Sequence, residues 1–132
     1  MRTKQRNNLA ETACHERVAQ NTDVYAVKAR NYKGLRRGSP VFCRNNWHIH
    51  HAKSGGGQIL ICVAGRGYYQ EEGKEAVEMK PGDCINIPAE VKHWHGAAPD
   101  EWFSHLAIEV PGENSSNEWL EPVSDEEYRK LK

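Results

Sequence analysis

Two pairs of histidines, each with one residue between its members, carry the most distinctive chemistry of this sequence: His48 with His50, and His93 with His95. Both pairs lie in strand-like surroundings, where alternate side chains point to the same face of a sheet. The two imidazoles of each pair therefore share a direction. Two such strands lying side by side would bring three or four imidazoles around one point, and a cluster of that kind binds a divalent transition metal.

The elements that must position these pairs are short strands separated by turns that contain Gly and Pro. A pattern of this kind is typical of an antiparallel sandwich or barrel. The predicted strands are residues 41–49, 58–64, 68–70, 76–79, 84–87, 91–96 and 102–110, of which the last is the longest with a clean strand pattern. Residues 51–57, between the first two strands, form a predicted loop that ends in three glycines and is flexible by composition.

The chain divides into a basic N-terminal segment of uncertain order, residues 1–40, and a barrel domain, residues 41–132. In the segment, a short amphipathic helix over residues 9–18 and disorder remain open alternatives, and residues 24–29 could form an edge strand. At the other end, Ser124 is followed by Glu127 with the spacing of a capping box. This spacing predicts a short C-terminal helix.

The charge of the chain is balanced overall, with 18 basic and 18 acidic residues, but unevenly distributed. Residues 1–44 carry ten Lys and Arg against three Asp and Glu. Such a segment could contact nucleic acid. The basic residues do not alternate regularly with aromatic ones, however, so a solvated surface is favoured and we expect no nucleic-acid partner.

Apolar runs in the sequence fall short of the roughly 20 residues that span a bilayer, and the N-terminus lacks the apolar core of a signal peptide. We therefore expect a cytoplasmic protein with no membrane partner. The four cysteines show no C-x-x-C spacing, and in a reducing compartment they are expected to be free thiols. Cys62 and Cys84 lie in apolar strands and are predicted to be small core residues.

Residues 41–110 resemble the cupins, which are small β-barrels defined by two motifs. The first motif, His-x-His followed by an acidic or amide ligand and then a glycine, is matched by His48, His50, Gln58 and Gly65. The second, a glycine followed by Pro-x-Gly and a histidine, is matched by Gly82, Pro88, Glu90 and His93. Within the cupins, residues 57–61, 93–98 and 104–108 are similar to bacterial hydroxynitrile lyases and to cupins associated with carboxymuconolactone decarboxylases.

The sequence departs from the cupin pattern at three places, one of which is the ligand position Gln58, a glutamine instead of a glutamate. The seven residues between His50 and Gln58 are more than the family usually has, so the alignment of Gln58 requires residues 52–55 to loop out. Glu90 stands where the family usually has glycine. The first forty residues also do not resemble the N-terminal strands of the narrower group.

The resemblance implies an all-β fold, an antiparallel double-stranded β-helix of the jelly-roll type. It also implies the metal ligands His48, His50, Gln58 and His93. Manganese is the favoured ion, and Fe, Ni, Co or Zn would also suit three neutral imidazoles with an amide oxygen.

Gln58 as a ligand would affect the charge of the site. A glutamine leaves the ion its full charge, whereas a carboxylate would reduce that charge by one. A unit charge about 4 Å away is worth about 4 kcal/mol at an effective dielectric of 20, as an upper bound. The set therefore favours Lewis-acid chemistry, in which an anion or a developing oxyanion is stabilised.

The same-face rule extends to residues around the ligands. If His93 points inward then so does His95, which we expect to act as a base or donor and not as a further ligand. On the strand 102–110, one face carries Phe103, His105, Ala107 and Glu109. We assign His105 to the pocket as a second candidate catalytic residue, whereas for Glu109 the pocket and an exposed strand end are equal alternatives.

One surface and one further residue also carry expectations. The opposite, apolar face of the strand 102–110 could pack a second sheet or a second subunit, and we expect a homodimer. His51 points away from His50 and is predicted to be a loop residue and not a metal ligand.

Two functions follow from these residues. The first is a metal-dependent lyase, decarboxylase or isomerase acting on a small oxygenated molecule, with His95 or His105 moving a proton. The second is a non-catalytic cupin in which the metal anchors a small metabolite for binding or sensing. Placement of His95 and His105 near an open metal position favours catalysis, whereas His95 turned into a buried hydrogen bond favours binding alone.

Overall fold

The computed structural model describes residues 15–17, 24–29 and 44–131 of the chain. In this part the chain forms twelve strands and a short helix. The strands are β1 (His15–Arg17), β2 (Val24–Ala29), β3 (His48–His51), β4 (Ser54–Gly55), β5 (Gln58–Gly65), β6 (Gly67–Glu71), β7 (Val77–Met79), β8 (Cys84–Ile87), β9 (His93–Ala97), β10 (Phe103–Glu109), β11 (Gly112–Glu113) and β12 (Ser116–Trp119); the helix is α1 (Asp125–Arg129).

Two five-stranded sheets make up the body of the fold. The first has the order β1-β2-β10-β5-β8, and the second has the order β12-β3-β9-β6-β7. The paired strands of both sheets are antiparallel in the described part of the chain. The all-β fold predicted from the sequence, an antiparallel double-stranded β-helix, is therefore confirmed.

The main hydrophobic core lies between the two sheets and draws on both. Alternate residues of β5 and β10 are buried, as expected for strands with one face on a core. The cluster consists of Leu60, Cys62, Ile87, Phe103 and Ala107 from the first sheet and Tyr69, Met79 and Ala97 from the second. Full burial of a large apolar side chain contributes roughly 1.5–3 kcal/mol, so this cluster is the chief source of stability for the barrel.

The helix α1 packs on a second apolar cluster, which includes Trp94 and Tyr128. The rings of these two residues lie 6.1 Å apart between centroids, and the Tyr128 hydroxyl donates to the Ala97 carbonyl. At the start of the helix, Ser124 Oγ accepts a hydrogen bond of 3.1 Å from the Glu127 N–H. The predicted N-cap at Ser124 and the C-terminal helix are both confirmed. No helix in the described ranges is long and apolar enough to cross a membrane.

Several sequence-based predictions about individual elements need correction. The eight-residue β5 is longer than the seven-residue β10, whose segment was predicted to be the longest strand with a clean pattern. Residues 15–17 are a strand, so the helix considered over 9–18 does not include them, and residues 9–14 and 18 lie outside the described part. The strand at 24–29 is present, but it lies between β1 and β10 and is not at an edge.

The two described cysteines are free thiols in different surroundings. Cys62 is buried in the core, whereas Cys84 is exposed. Side chains alternate along β8, and the residue that reaches the core from this strand is Ile87. The prediction of a core position is therefore confirmed for Cys62 and wrong for Cys84. Cys14 and Cys43 lie outside the described residues.

The long connection between His50 and Gln58 folds back onto the chain that follows β10. Its residues Ser54–Gly55 form β4, which pairs with β11, and the Lys53 N–H donates to the Glu113 carbonyl at 2.8 Å. The predicted flexible loop is thus partly a two-stranded ribbon. This ribbon accommodates the extra residues, and Gln58 remains the first residue of β5.

Glu90, which replaces the usual cupin glycine, has a φ of 69°. An L-residue in this left-handed region is strained by roughly 1–2 kcal/mol. Its carboxylate accepts hydrogen bonds from the Ala52 N–H at 3.0 Å and from His51 Nδ1 at 2.6 Å. These contacts tie Glu90 to the connection after β3 and offset the strain.

Gly65 and Gly73 form a matched pair for testing the role of space at the end of β5. Their φ values are 76° and 77°, so a side chain would meet the same backbone strain at both positions. A Cβ at Gly65 would collide with the Trp102 carbonyl, whereas nothing lies within 4 Å of a Cβ at Gly73.

We expect Gly73→Ala to lower the free energy of unfolding by about 1–2 kcal/mol through backbone strain alone. Gly65→Ala should cost about 1–3 kcal/mol more, because overpacking against a neighbouring backbone forces that backbone to shift. Urea unfolding followed by circular dichroism would measure both losses. Equal losses for the two variants would contradict the proposed steric role of Gly65.

Candidate metal centre

Three histidines converge on the inner side of the second sheet. His48 and His50 lie on β3 with buried side chains, and His93 lies opposite His48 at the start of β9. The ring centroids are 4.2 Å apart for His48 and His93, and 5.4 Å apart for His50 and His93. One ring nitrogen from each histidine lies within 4.8 Å of those of the other two. The convergence expected from the two His-x-His pairs is therefore present for these three residues.

Backbone carbonyls fix the proton positions of two of these imidazoles. His48 Nδ1 lies 2.9 Å from the Asn46 carbonyl, and His93 Nδ1 lies 2.8 Å from the Val91 carbonyl. A carbonyl oxygen can only accept, so Nδ1 must carry the proton in both rings. The lone pair is then on Nε2. Each of these histidines is the first residue of its strand, and the carbonyl belongs to the residue two positions earlier.

His50 is oriented by a side chain from β12. Its Nδ1 lies 2.7 Å from Asn117 Oδ1, and Asn117 Nδ2 donates to Glu109 Oε1 at 2.9 Å. The Glu109 carboxylate accepts, so the amide nitrogen must face it and the amide oxygen must face His50. His50 therefore also carries its proton on Nδ1 and its lone pair on Nε2.

Several buried polar atoms of this region have no hydrogen-bond partner among the described residues. They include Nε2 of His50, Nε2 of His93 and Oε1 of Gln58. Burial of unpaired acceptors is costly, and it commonly marks a site that binds a ligand or ion. Lone-pair nitrogens of neutral imidazoles and an amide oxygen are suitable donors for a divalent transition metal. The residues present therefore fit such an ion.

Burial keeps two of the converging imidazoles, His48 and His93, neutral. It lowers the pKa of His93 to about 4. For His48, burial and then the neighbouring His93 lower the pKa well below the usual 6.5. Since metals bind the neutral imidazole, protons compete little for these two residues near pH 7.

His95 is buried beside the triad and makes a different set of contacts. Asn45 Oδ1 accepts from the His95 backbone N–H at 2.9 Å, which turns the amide nitrogen of Asn45 toward His95 Nε2 at 3.0 Å. Nε2 must then be the acceptor, and the ring proton must be on Nδ1. At Nε2, His95 therefore makes a buried hydrogen bond, which is the contact expected of a cupin that binds a metabolite without catalysis. The contact also leaves Nδ1–H as the donor of the ring.

His105 is buried on β10 and lies against His95. Their ring centroids are 4.8 Å apart with an interplanar angle of 81°, and Phe103 stacks on the His105 ring at 4.5 Å. Alternation along β10 directs these rings inward, as predicted. The two candidate catalytic histidines are thus brought together next to the triad, since the rings of His95 and His48 are 5.6 Å apart.

Two further predicted positions are defined by their contacts. Glu109, left open between pocket and surface, is half-buried and accepts the Asn117 hydrogen bond. His51 ends β3 and lies between two carboxylates, with Nδ1 2.6 Å from Glu90 and Nε2 2.6 Å from Glu118. The contact with Glu118, and then that with Glu90, raise the pKa of His51. His51 is therefore a strand residue and not the loop residue that was predicted.

The contribution of β12 to this site was not predicted from the sequence. The strand pairs with β3 so that Asn117 lies opposite His50 and Trp119 lies opposite His48. Trp119 is 55% exposed, and its ring centroid is 4.6 Å from that of His48. The residues of β12 that contact the imidazoles can be identified only from the register of this strand against β3.

Comparison with known proteins places these residues in a family context. Residues 41–109, more than half of the chain, match a family model described as Cupin domain. An (R)-mandelonitrile lyase from Granulicella tundricola is 42% identical over 87 residues, which cover 66% of this chain and 63% of that protein. The match thus spans less than two thirds of the length of the lyase.

Solved structures show the same architecture. A cupin-like protein from Thermotoga maritima is 36% identical with a TM-score of 0.64, and the match covers 89% of this chain and 82% of that one. An uncharacterized conserved protein with a double-stranded beta-helix domain from Klebsiella pneumoniae is 17% identical with a TM-score of 0.55, covering 81% and 84%. At the lower identity the likeness concerns the fold alone.

The depressed pKa of His93 predicts acid sensitivity of the metal-free protein. In the unfolded chain His93 takes up a proton near pH 6.5, whereas in the folded chain it stays neutral down to about pH 4. Its contribution to stability is therefore complete above pH 6.5 and is lost as the pH falls toward 4, by on the order of 3 kcal/mol. Thermal unfolding of metal-free protein across this range should show a shallower decline for His93→Gln.

A matched control for this experiment is His51→Gln. The pKa of His51 is raised, so its contribution is complete below pH 6.5 and is lost as the pH rises through the folded-state pKa. Removing His51 should therefore leave the acid-side decline in place. The assignment would be contradicted by a decline of the same steepness in wild type and His93→Gln.

Proposed function

The chain belongs to the cupin domain family, and we propose that it is a metal-dependent lyase acting on a small hydroxylated compound. The observation that carries this proposal is the set of three buried imidazoles. Each has its Nδ1 on an acceptor and so its lone pair on Nε2, and one ring nitrogen of each lies within 4.8 Å of those of the other two. Such a set is built to bind an ion, because its Nδ1 atoms are already occupied by acceptors.

The proposed ligands are His48, His50, His93 and the amide oxygen of Gln58. Manganese is our favoured ion, because the amide oxygen is a hard donor and the Gln58 side chain contributes no charge. Fe, Ni, Co and Zn are the alternatives that metal analysis would distinguish. When bound, the ion would act as a Lewis acid toward an oxygen of the substrate.

The substrate class is suggested by the relative that is an (R)-mandelonitrile lyase. Cleavage of a hydroxynitrile removes the hydroxyl proton, breaks the carbon–carbon bond to the nitrile and protonates the released cyanide. We assign the proton transfer to His105, which takes the hydroxyl proton and returns it to cyanide. His95 donates a hydrogen bond from Nδ1 to the reacting groups, because Asn45 occupies its Nε2.

The alternative is a cupin that binds a small anionic metabolite without transforming it. The hydrogen bond between Asn45 and His95 favours this alternative, because it occupies the ring lone pair with which His95 could act as a base. Incubation of the manganese-loaded protein with (R)-mandelonitrile and other small hydroxynitriles and hydroxy acids separates the two functions. Aldehyde release supports the lyase, whereas saturable binding without turnover supports the metabolite-binding cupin.

We expect His48→Ala and His93→Ala to abolish metal retention, since each removes one of three imidazole donors. Elemental analysis of protein purified without a polyhistidine tag would measure this. His105→Ala should retain the metal and lose turnover, and His51→Ala should retain both. Stoichiometric metal in the His48→Ala/His93→Ala double variant would refute the ligand assignment.

We expect Gln58→Glu to bind the metal more tightly and to weaken the affinity of the loaded protein for a small anion such as azide. A carboxylate cancels one unit of positive charge. A third of the roughly 4 kcal/mol upper bound corresponds to about a tenfold loss of azide affinity. Azide titration of loaded wild type and variant would measure it. Unchanged azide affinity would exclude Gln58 from the surroundings of the ion.

A further inference from the structure

We propose that Glu109 is a positioning residue of the metal centre, which acts through Asn117 to orient and polarise His50. This inference rests on the proposed metal-binding function. It begins from the unbroken series of hydrogen bonds that joins the Glu109 carboxylate to the His50 ring, with distances of 2.9 Å and 2.7 Å.

The direction of this series is determined by its charged end. A carboxylate offers no proton, so Asn117 must donate from Nδ2 and accept at Oδ1. His50 must in turn donate from Nδ1. The carboxylate therefore determines the amide orientation, the amide orientation determines the tautomer, and the tautomer places the lone pair on the buried Nε2.

Among the three converging histidines, His50 alone is linked to a charged group by such a series in the described part of the chain. His48 and His93 donate to neutral backbone carbonyls. Among the described residues, Glu109 forms no ion pair that would neutralise its carboxylate. Through Asn117, the carboxylate is placed to polarise His50 and to increase the donor strength of Nε2.

The strand register places Glu109 near a second proposed ligand as well. Asn117 on β12 pairs with His50 on β3, and Glu109 on β10 pairs with Gln58 on β5. The carboxylate thus lies beside the strand that carries the neutral ligand and is bonded to the side chain that holds an imidazole ligand. We infer that the negative charge absent from Gln58 is supplied from outside the ligand set, at Glu109.

The experiment compares Glu109→Gln with Glu118→Gln. The amide oxygen that Glu109→Gln introduces can still accept from Asn117, so this change removes charge and largely preserves geometry. Glu118 is the neighbour of Asn117 on β12, it points to the opposite face, and it contacts His51 instead. The control therefore removes the same charge from the same region without touching the series of hydrogen bonds.

The primary measurement is the dissociation constant of Mn²⁺, obtained by titrating metal-free protein. We expect Glu109→Gln to weaken binding by about 10-fold, the lower end of the effect of losing an outer partner of a metal ligand, and Glu118→Gln to change it by less than about twofold. The double variant Glu109→Gln/Asn117→Asp places a carboxylate directly on His50 and should restore most of the affinity.

A second measurement reports on His50 itself. Nitrogen-15 chemical shifts of the metal-free protein should show His50 protonated on Nδ1 in wild type. They should show a mixture of tautomers in Asn117→Ala and, because an amide can donate as well as accept, also in Glu109→Gln. A merely structural role for Asn117 would leave the tautomer unchanged. Equal thermal unfolding midpoints for Glu109→Gln and Glu118→Gln would show that the affinity difference does not arise from misfolding.

The outcomes separate this inference from the proposed function. If wild type binds Mn²⁺ and Glu109→Gln binds it equally well, the role of Glu109 is overturned and the ligand assignment stands. If wild type binds no divalent metal, both are overturned. If the double variant does not fold, the comparison of the two single variants decides the question alone.

Discussion

Hydrogen bonds to groups that can only accept are the constraint on which this site depends. Two backbone carbonyls and one amide oxygen, itself oriented by a carboxylate, each accept a hydrogen bond from Nδ1 of one imidazole. Without them, each ring could place its proton on either nitrogen, and a buried lone pair would not be assured. Because burial also keeps His48 and His93 uncharged, these two rings keep a lone pair on Nε2 and carry no proton there. The fourth ring, His95, obeys the same rule in reverse, since Asn45 donates to it.

The residues that stabilise the barrel are distinct from the polar residues of the site. An apolar cluster fills the space between the sheets, and a second one fixes the C-terminal helix. The polar triad belongs to neither cluster. The second sheet aligns the first residues of β3 and β9, so that His48 and His93 use the same contact, a carbonyl two residues earlier. Neither contact requires a distant side chain, and this local origin makes the orientation of both imidazoles robust to changes elsewhere in the chain.

Much of the fold and part of the site could be predicted from the sequence. Alternation of apolar residues and the positions of Gly and Pro indicate the antiparallel barrel, and the two His-x-His pairs indicate the converging imidazoles. The contribution of β12 could not be predicted, because its four residues are exposed and show no apolar alternation. Asn117 reaches His50 only through strand register, which the local sequence does not encode. The exposure of Cys84 was missed for a related reason: in a short strand, the pattern alone does not say which residues face the core.

The position of β12 near the C-terminal end of the chain has a consequence for biosynthesis. A nascent polypeptide emerges from the ribosome N-terminus first. When residues up to Glu109 are free to fold, all four proposed ligands are available, but Asn117 is still several residues behind. Until that residue arrives, the His50 ring lacks the amide oxygen that defines its tautomer. An ion that bound before then would meet a centre in which the His50 ring is not yet oriented, so binding is favoured only after β12 has paired with β3.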